Sequence, residues 1–192
     1  MSKKLLIVLA AIAAIMMVGA SSASKGSKES SAKAQLSLFN MEGKPAPDFS
    51  LPDQRGQIIK LSSLHGKKVI LFFNEGIMCY PACWNQMAAL GTDEKLNNTS
   101  VASFSIVTDS PDQWSSAFKK MPELNKGNIL FDSTKAVSNQ YGMLAAESSM
   151  HRGSMPGHTF ILLDQKGFVR FTLDDPKMGV QNTVLATKVS EI

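Results

Sequence analysis

Two cysteines, Cys79 and Cys83, are the residues whose type and spacing could do chemistry, and the 192-residue chain contains no others. A pair this close cannot cross-link distant elements, so redox or metal chemistry is expected. One thiolate could attack a disulfide or a peroxide while the second resolves the product. Two thiolates could also hold a soft metal such as Cu(I). A third interpretation, a redox-inactive interaction module, predicts buried thiols that resist alkylation.

The elements around the pair favour the redox interpretation. The apolar run KVILFF at residues 68–73 predicts a strand buried on both faces, and Pro81 then opens a helix that Gly91 ends. Cys79 is predicted at the helix N-terminus, where unpaired N–H groups lower a thiol pKa from ~8.5 toward neutrality. Cys83 should follow on the same helical face, at a Cα separation of about 6 Å. We therefore predict Cys79 as the nucleophile and Cys83 as the resolving thiol.

The remaining sequence alternates predicted strands and helices. Strands are expected at residues 57–61, 68–73, 103–107, 128–131, 158–163 and 168–173, and helices at about 110–120, 133–141 and the C-terminus. Residues 164–167 form a hairpin turn. This order predicts an α/β fold with a central mixed β-sheet flanked by helices, parallel inside and antiparallel at one edge, with residues 68–73 in the middle.

The N-terminus has the pattern of an export signal. Lys3 and Lys4 precede the uncharged run LLIVLAAIAAIMMVGA, and a Ser- and Lys-rich stretch follows. We predict a signal peptide or N-terminal membrane anchor at residues 1–23, a flexible linker at 24–40 and one domain at 41–192. The protein is then expected to be exported and extracytoplasmic, membrane-anchored if the segment is not cleaved.

The charge distribution excludes nucleic acid as a partner. The net charge of +4 comes from residues 1–33, which hold five Lys and one Glu. Fifteen basic and fifteen acidic residues make up the rest, so the domain has no excess positive charge to neutralise phosphates.

Three segments resemble the redoxins, the group of peroxiredoxin-like (AhpC/TSA-like) and thioredoxin-like proteins. They are GKPAPDFSL at residues 43–51, KVILFF at 68–73 and HTFILLD at 158–164 with Gly167. The resemblance spans about residues 41–175. It implies a thioredoxin-like fold with the reactive Cys79 at the head of the first core helix. The sequence has no nucleotide, haem or flavin motif, so no cofactor is expected, and the partner is expected to be a peroxide or a protein thiol or disulfide.

The chain departs from the peroxiredoxin pattern near the pair. Gly76 and Phe72 stand where the family places Thr and Pro before its reactive cysteine, and His158 lies near the place of its late Arg. Envelope thiol-disulfide reductases have two residues between their cysteines, whereas this chain has three. We expect a disulfide substrate ahead of a peroxide.

The three-residue spacing also resembles that of the Sco copper chaperones, in which two Cys and a His bind copper on the same fold. His158 lies near the corresponding position, so the alternative function is a Cu(I) carrier that uses Cys79, Cys83 and His158. His158 could equally be a hydrogen-bonded residue that precedes a strand. Glu75 could accept a proton near the thiols, but we expect a solvated loop carboxylate, and we expect Trp84 to pack beside the cysteines.

Overall fold

The computed structural model describes residues 40–192. The predicted N-terminal segment, residues 1–23, and all of the predicted linker except Asn40 lie outside the described residues. Within residues 40–192, no helix combines the length and the apolar character needed to cross a bilayer.

A mixed five-stranded sheet is the centre of residues 40–192. The strands described are β1 (Ser50–Pro52), β2 (Ile58–Lys60), β3 (Lys68–Phe73), β4 (Val101–Val107), β5 (Ile129–Phe131), β6 (Thr159–Leu163) and β7 (Val169–Asp174). Strands β1 and β2 form a separate antiparallel pair, and the large sheet has the order β5–β4–β3–β6–β7. Strands β3, β4 and β5 are parallel, whereas β6 and β7 are antiparallel to their neighbours. The predicted mixed sheet with β3 in the middle is confirmed.

Helices and apolar side chains cover both faces of this sheet. The described helices are α1 (Ala82–Thr92), α2 (Ser115–Lys120), α3 (Ala136–Gln140) and α4 (Asn182–Ser190). Alternate side chains of β3 enter two different clusters: Phe72 packs with residues of α1 and α4, and Phe73 with residues of α3. A strand buried on both faces must be apolar at almost every position, which is why KVILFF does not alternate.

The structure corrects the prediction that Gly91 ends the first helix. Helix α1 continues to Thr92, and a Cβ atom on Gly91 would lie 2.4 Å from the backbone N of Gly127. Gly91 therefore permits close packing of α1 against the loop that leads into β5, rather than ending the helix.

Candidate active site

The two cysteines lie at the carboxyl end of β3 and are joined in a disulfide. Cys79 ends the 3-10 turn Gly76–Cys79, and Cys83 is the second residue of α1. Their Cα atoms are 5.3 Å apart, close to the predicted separation. The prediction that Cys79 begins the helix and shares a face with Cys83 is wrong, because Pro81 caps α1 after the 3-10 turn has ended. The unpaired N–H groups at the start of α1 thus stabilise a thiolate on Cys83 directly. They affect Cys79 only because its sulfur lies beside that of Cys83.

Burial distinguishes the two sulfurs. Cys83 is fully buried and Cys79 is 3% exposed, whereas the neighbours Met78 and Tyr80 are 59% and 48% exposed. The exposed neighbours place Cys79 nearer to solvent than Cys83. Burial of both cysteines is also what the interaction-module interpretation predicts.

Trp84 packs beside the disulfide as predicted. Its Nε1 donates a hydrogen bond to the Gly76 carbonyl at 3.2 Å, and its ring meets the Tyr80 ring edge-on at a centroid distance of 4.9 Å. The Lys120 ammonium lies 3.5 Å from the centre of the Tyr80 ring. The indole fixes the turn that carries Cys79 against the first turn of α1.

His158 contacts the buried sulfur. It directly precedes β6, and its Nδ1 lies 3.6 Å from Cys83 Sγ, while its Nε2 lies 3.1 Å from the Gly179 carbonyl. Phe72 and Phe160 pack edge-on against the imidazole. Burial lowers the pKa of His158, and the Gly179 carbonyl and nearby carboxylates oppose that shift only in part. His158 is thus a hydrogen-bonded residue before a strand, as one interpretation predicts, and it also touches the cysteine pair.

A loop that was not predicted from the sequence fixes the Gly179 carbonyl. Asp175 accepts hydrogen bonds from the Gly179 N–H at 2.9 Å and from Gln181 Nε2 at 2.7 Å. The buried Gln86 of α1 accepts the Gln181 backbone N–H at 2.7 Å. An Asp followed by Gly four residues later is a turn signal, but it does not reveal that the turn faces a histidine 21 residues earlier in the chain.

Glu75 is buried, which corrects the expectation that it is solvated. Its Oε1 accepts the backbone N–H groups of Met150 at 2.7 Å and His151 at 3.0 Å, and its Oε2 lies 3.2 Å from His151 Nδ1. Glu75 directly precedes the turn Gly76–Cys79, so its carboxylate joins the segment around residue 150 to the start of that turn. Nothing in the local sequence signals these partners, which lie about 75 residues away.

Asp109, which follows β4, holds the turn Gly76–Cys79 through the backbone of Ile77. Its Oδ2 accepts the Ile77 N–H at 3.1 Å and the Trp114 Nε1–H at 3.3 Å. Gly76 has a φ of +61°, and a Cβ there would lie 1.8 Å from this oxygen. Burial raises the pKa of Asp109, and its hydrogen bonds oppose the shift. Gly76 is therefore required both by its backbone conformation and by the approach of the carboxyl group.

The residues of the copper hypothesis also come together. In the part of the chain that the structure describes, Cys79 Sγ, Cys83 Sγ and a ring nitrogen of His158 all lie within 4.8 Å of one another. Thiolates are the sulfur ligands of metals, so this set could hold a soft metal only after the disulfide is reduced.

Comparison with known proteins places the chain among thiol-dependent enzymes. Residues 43–172 match the model of the AhpC/TSA family. Peroxiredoxin Bcp of Escherichia coli (strain K12) is 30% identical over 151 residues, which are 78% of this chain and 95% of that protein.

Solved structures agree on the fold. The reduced 2-Cys peroxiredoxin of Plasmodium vivax superposes with a TM-score of 0.64 at 22% identity, over 78% of this chain and 80% of that one. Peroxidoxin BcpB of Mycobacterium tuberculosis superposes with a TM-score of 0.63 at 20% identity, over 79% and 97% of the two chains. The predicted thioredoxin-like fold is confirmed.

Proposed function

Because this chain belongs to the AhpC/TSA family, we propose that it is a thiol oxidoreductase that cycles between the Cys79–Cys83 disulfide and two free thiols. Its assignment as an oxidoreductase acting on disulfides or peroxides follows from the family. The observation that carries the cycle is the disulfide itself, which joins the last residue of the turn after β3 to the first turn of α1. A closed pair at a strand–helix junction is the oxidised form of a two-thiol centre.

We assign the first attack to Cys79, because Cys83 has no exposed surface. The Cys79 thiolate attacks a peroxide oxygen, the O–O bond breaks, and the departing alkoxide or hydroxide takes a proton; Cys79 becomes a sulfenic acid. With a disulfide substrate, the same thiolate attacks one sulfur, the substrate S–S bond breaks, and the first substrate thiolate leaves as a mixed disulfide forms. Cys83 then attacks Cys79 Sγ and closes the intramolecular disulfide, releasing water or the second thiol.

Two observations support different substrates. Similarity to a protein named peroxiredoxin Bcp supports a peroxide. Gly76 and Phe72, at the places of the family's Thr and Pro, support a disulfide. Peroxide is therefore the first substrate to test. We propose that a protein thiol is the reductant that regenerates the enzyme. The two-thiol cycle needs no bound cofactor.

The test is trapping of the intermediate by Cys83→Ser. The reduced variant is mixed with hydrogen peroxide plus dimedone, or with an oxidised protein substrate, and analysed by mass spectrometry. We expect an adduct on Cys79 with one or both reagents, and no adduct in Cys79→Ser, in which Cys83 is buried. If neither cysteine reacts, and iodoacetamide also fails to label the reduced native protein, the interaction-module interpretation replaces this proposal.

Copper transfer is the second candidate, and it is supported by the convergence of Cys79, Cys83 and His158 within 4.8 Å. The test is an anaerobic Cu(I) titration of the reduced protein against a competing chelator. Tight binding at one ion per chain that is lost in His158→Ala supports the carrier. Weak binding that is unchanged in that variant leaves the oxidoreductase.

We also propose that the protein is exported, on the basis of Lys3, Lys4 and the apolar run that follows them. Cell fractionation combined with N-terminal sequencing of the mature protein tests this. An N-terminus near residue 24 indicates cleavage, an intact N-terminus in the membrane fraction indicates an anchor, and recovery from the cytosol contradicts export.

A further inference from the structure

The two sulfurs of the disulfide have different chemical surroundings. Cys79 is 3% exposed and lies between two exposed residues, Met78 and Tyr80. Cys83 is fully buried, and the polar side-chain atom next to its Sγ is Nδ1 of His158, at 3.6 Å. A buried thiol without a proton acceptor is a poor nucleophile, because burial in apolar surroundings raises its pKa.

The tautomer of His158 is fixed by the hydrogen bond between its Nε2 and the Gly179 carbonyl, on the side of the ring away from Cys83. A carbonyl oxygen only accepts hydrogen bonds, so Nε2, at 3.1 Å from the Gly179 carbonyl, must carry the hydrogen of the neutral ring. Nδ1 then presents its lone pair to Cys83 Sγ. Asp175 holds the backbone N–H of Gly179, so the carbonyl keeps its place and the ring keeps this tautomer.

We propose that His158 is the catalytic proton acceptor for Cys83, which removes the thiol proton as Cys83 attacks the oxidised Cys79. This proposal deepens the two-thiol cycle proposed above and rests on it. It concerns the resolving step only, and assigns His158 no part in the first attack at Cys79.

The step balances for both oxidised forms of Cys79. With the sulfenic acid, the S–H proton of Cys83 moves to Nδ1, the new S–S bond forms, and the S–O bond of Cys79 breaks. The departing hydroxide is protonated to water, and the imidazolium returns its proton to the leaving group or to solvent. With a mixed disulfide, the leaving group is the substrate thiolate, which takes the same proton.

Two carboxylates are placed to stabilise the transient imidazolium. Asp175 and Asp174 both favour the charged form of His158 electrostatically, and the Asp175 backbone N–H is bonded to the His158 carbonyl at 3.0 Å. Burial thus disfavours the charged form of the ring, and the cationic form has nearby counter-charges when it forms. This combination suits a group that gains and loses a proton in each cycle.

The experiment separates the two steps in His158→Phe and His158→Gln. Each reduced protein is mixed with hydrogen peroxide; dimedone capture reports sulfenic acid on Cys79, and quenching with N-ethylmaleimide followed by mass spectrometry reports disulfide closure. We expect an unchanged rate of sulfenic acid formation and a closure rate about a hundredfold lower, with sulfenic acid accumulating. An unchanged first step also shows that each variant is folded. His65→Gln, at an exposed histidine in the turn before β3, is the matched control and should behave as the wild type.

The pH profile distinguishes a base from a structural residue. Below the ordinary thiol pKa of ~8.5, closure in the variants should accelerate about tenfold per pH unit, because solvent must deprotonate Cys83. In the wild type, closure should be nearly independent of pH above neutrality. If the wild type reacts with peroxide and the folded variants close at its rate with its profile, the role of His158 is refuted while the two-thiol cycle stands. If no protein forms sulfenic acid or disulfide with peroxide, the peroxide form of the proposed function fails, and the experiment is repeated with the mixed disulfide.

Discussion

The turn that carries Cys79 depends on Gly76, and Gly76→Ala should destabilise the protein far more than an ordinary glycine substitution. The backbone there has a φ of +61°, which costs an alanine about 1 kcal/mol. The new Cβ would lie 1.8 Å from Asp109 Oδ2, so the carboxyl group must move away from Ile77 N–H and Trp114 Nε1–H. Losing two hydrogen bonds to a carboxylate costs about 1.5 kcal/mol each, so the total is roughly 4 kcal/mol.

The assay is equilibrium unfolding in urea of the oxidised protein, with thermal unfolding as the second measurement. Gly153→Ala is the matched control, because Gly153 has a φ of +82° but open space around its hypothetical Cβ. It should therefore show only the backbone cost of about 1 kcal/mol. In a domain of this size, the difference of about 3 kcal/mol corresponds to a melting temperature lower by roughly 6–12 °C.

A double-mutant cycle identifies the cause. Asp109→Ala removes the clashing carboxyl group, so the free energy of unfolding of Gly76→Ala combined with Asp109→Ala should lie close to that of Gly76→Ala alone. Equal destabilisation by Gly76→Ala and Gly153→Ala, or strict additivity in the cycle, would refute the reasoning that the carboxyl group fixes this turn.

Three further outcomes are expected. Reduction of the Cys79–Cys83 disulfide, which closes a short loop, should lower the free energy of unfolding by about 2 kcal/mol. Thermal unfolding with and without a reductant measures this difference. A variant with both cysteines changed to Ser should not respond to the reductant. Glu75→Gln should weaken the hydrogen bond to the Met150 N–H and speed exchange of that amide in hydrogen-exchange mass spectrometry, whereas unchanged exchange would contradict the role of this carboxylate. Because burial raises the pKa of Asp109 above its unfolded value, the part of its stability that is linked to protonation is largest below about pH 4 and is lost as pH rises through the folded pKa. The stability of the wild type relative to Asp109→Asn should therefore fall from pH 4 to pH 7, and a constant difference across that range would contradict the assignment.

Local signals predicted the elements that position the cysteines. KVILFF is apolar at nearly every position because β3 is buried on both faces, and Pro81 caps α1 because its missing N–H costs nothing there. The hairpin at residues 164–167 follows from turn residues between two apolar runs, and the observed turn is held by Asp164. Each of these features depends on residues close together in the chain, so one sequence suffices to predict it.

The positions of the two cysteines relative to the start of α1 depend on contacts with other elements, which the sequence does not show. The prediction put Cys79 at the helix start, but residues 76–79 form a separate 3-10 turn. That turn is held by Asp109 through Ile77 and by the Trp84 indole through Gly76, and both contacts cross from another element. Local propensity could not anticipate them, because their partners meet only when β3, β4 and α1 are assembled.

The sequence by itself determined that two thiols close enough to join follow a buried strand in a redoxin-like chain. Only the tertiary structure decided that Cys83 is the enclosed sulfur and that His158 turns Nδ1 toward it. The same holds for Glu75, which is buried against a segment about 75 residues later in the chain. The physical reason is that burial and hydrogen-bond partners are properties of elements packed together, whereas spacing and apolar pattern are properties of a single segment.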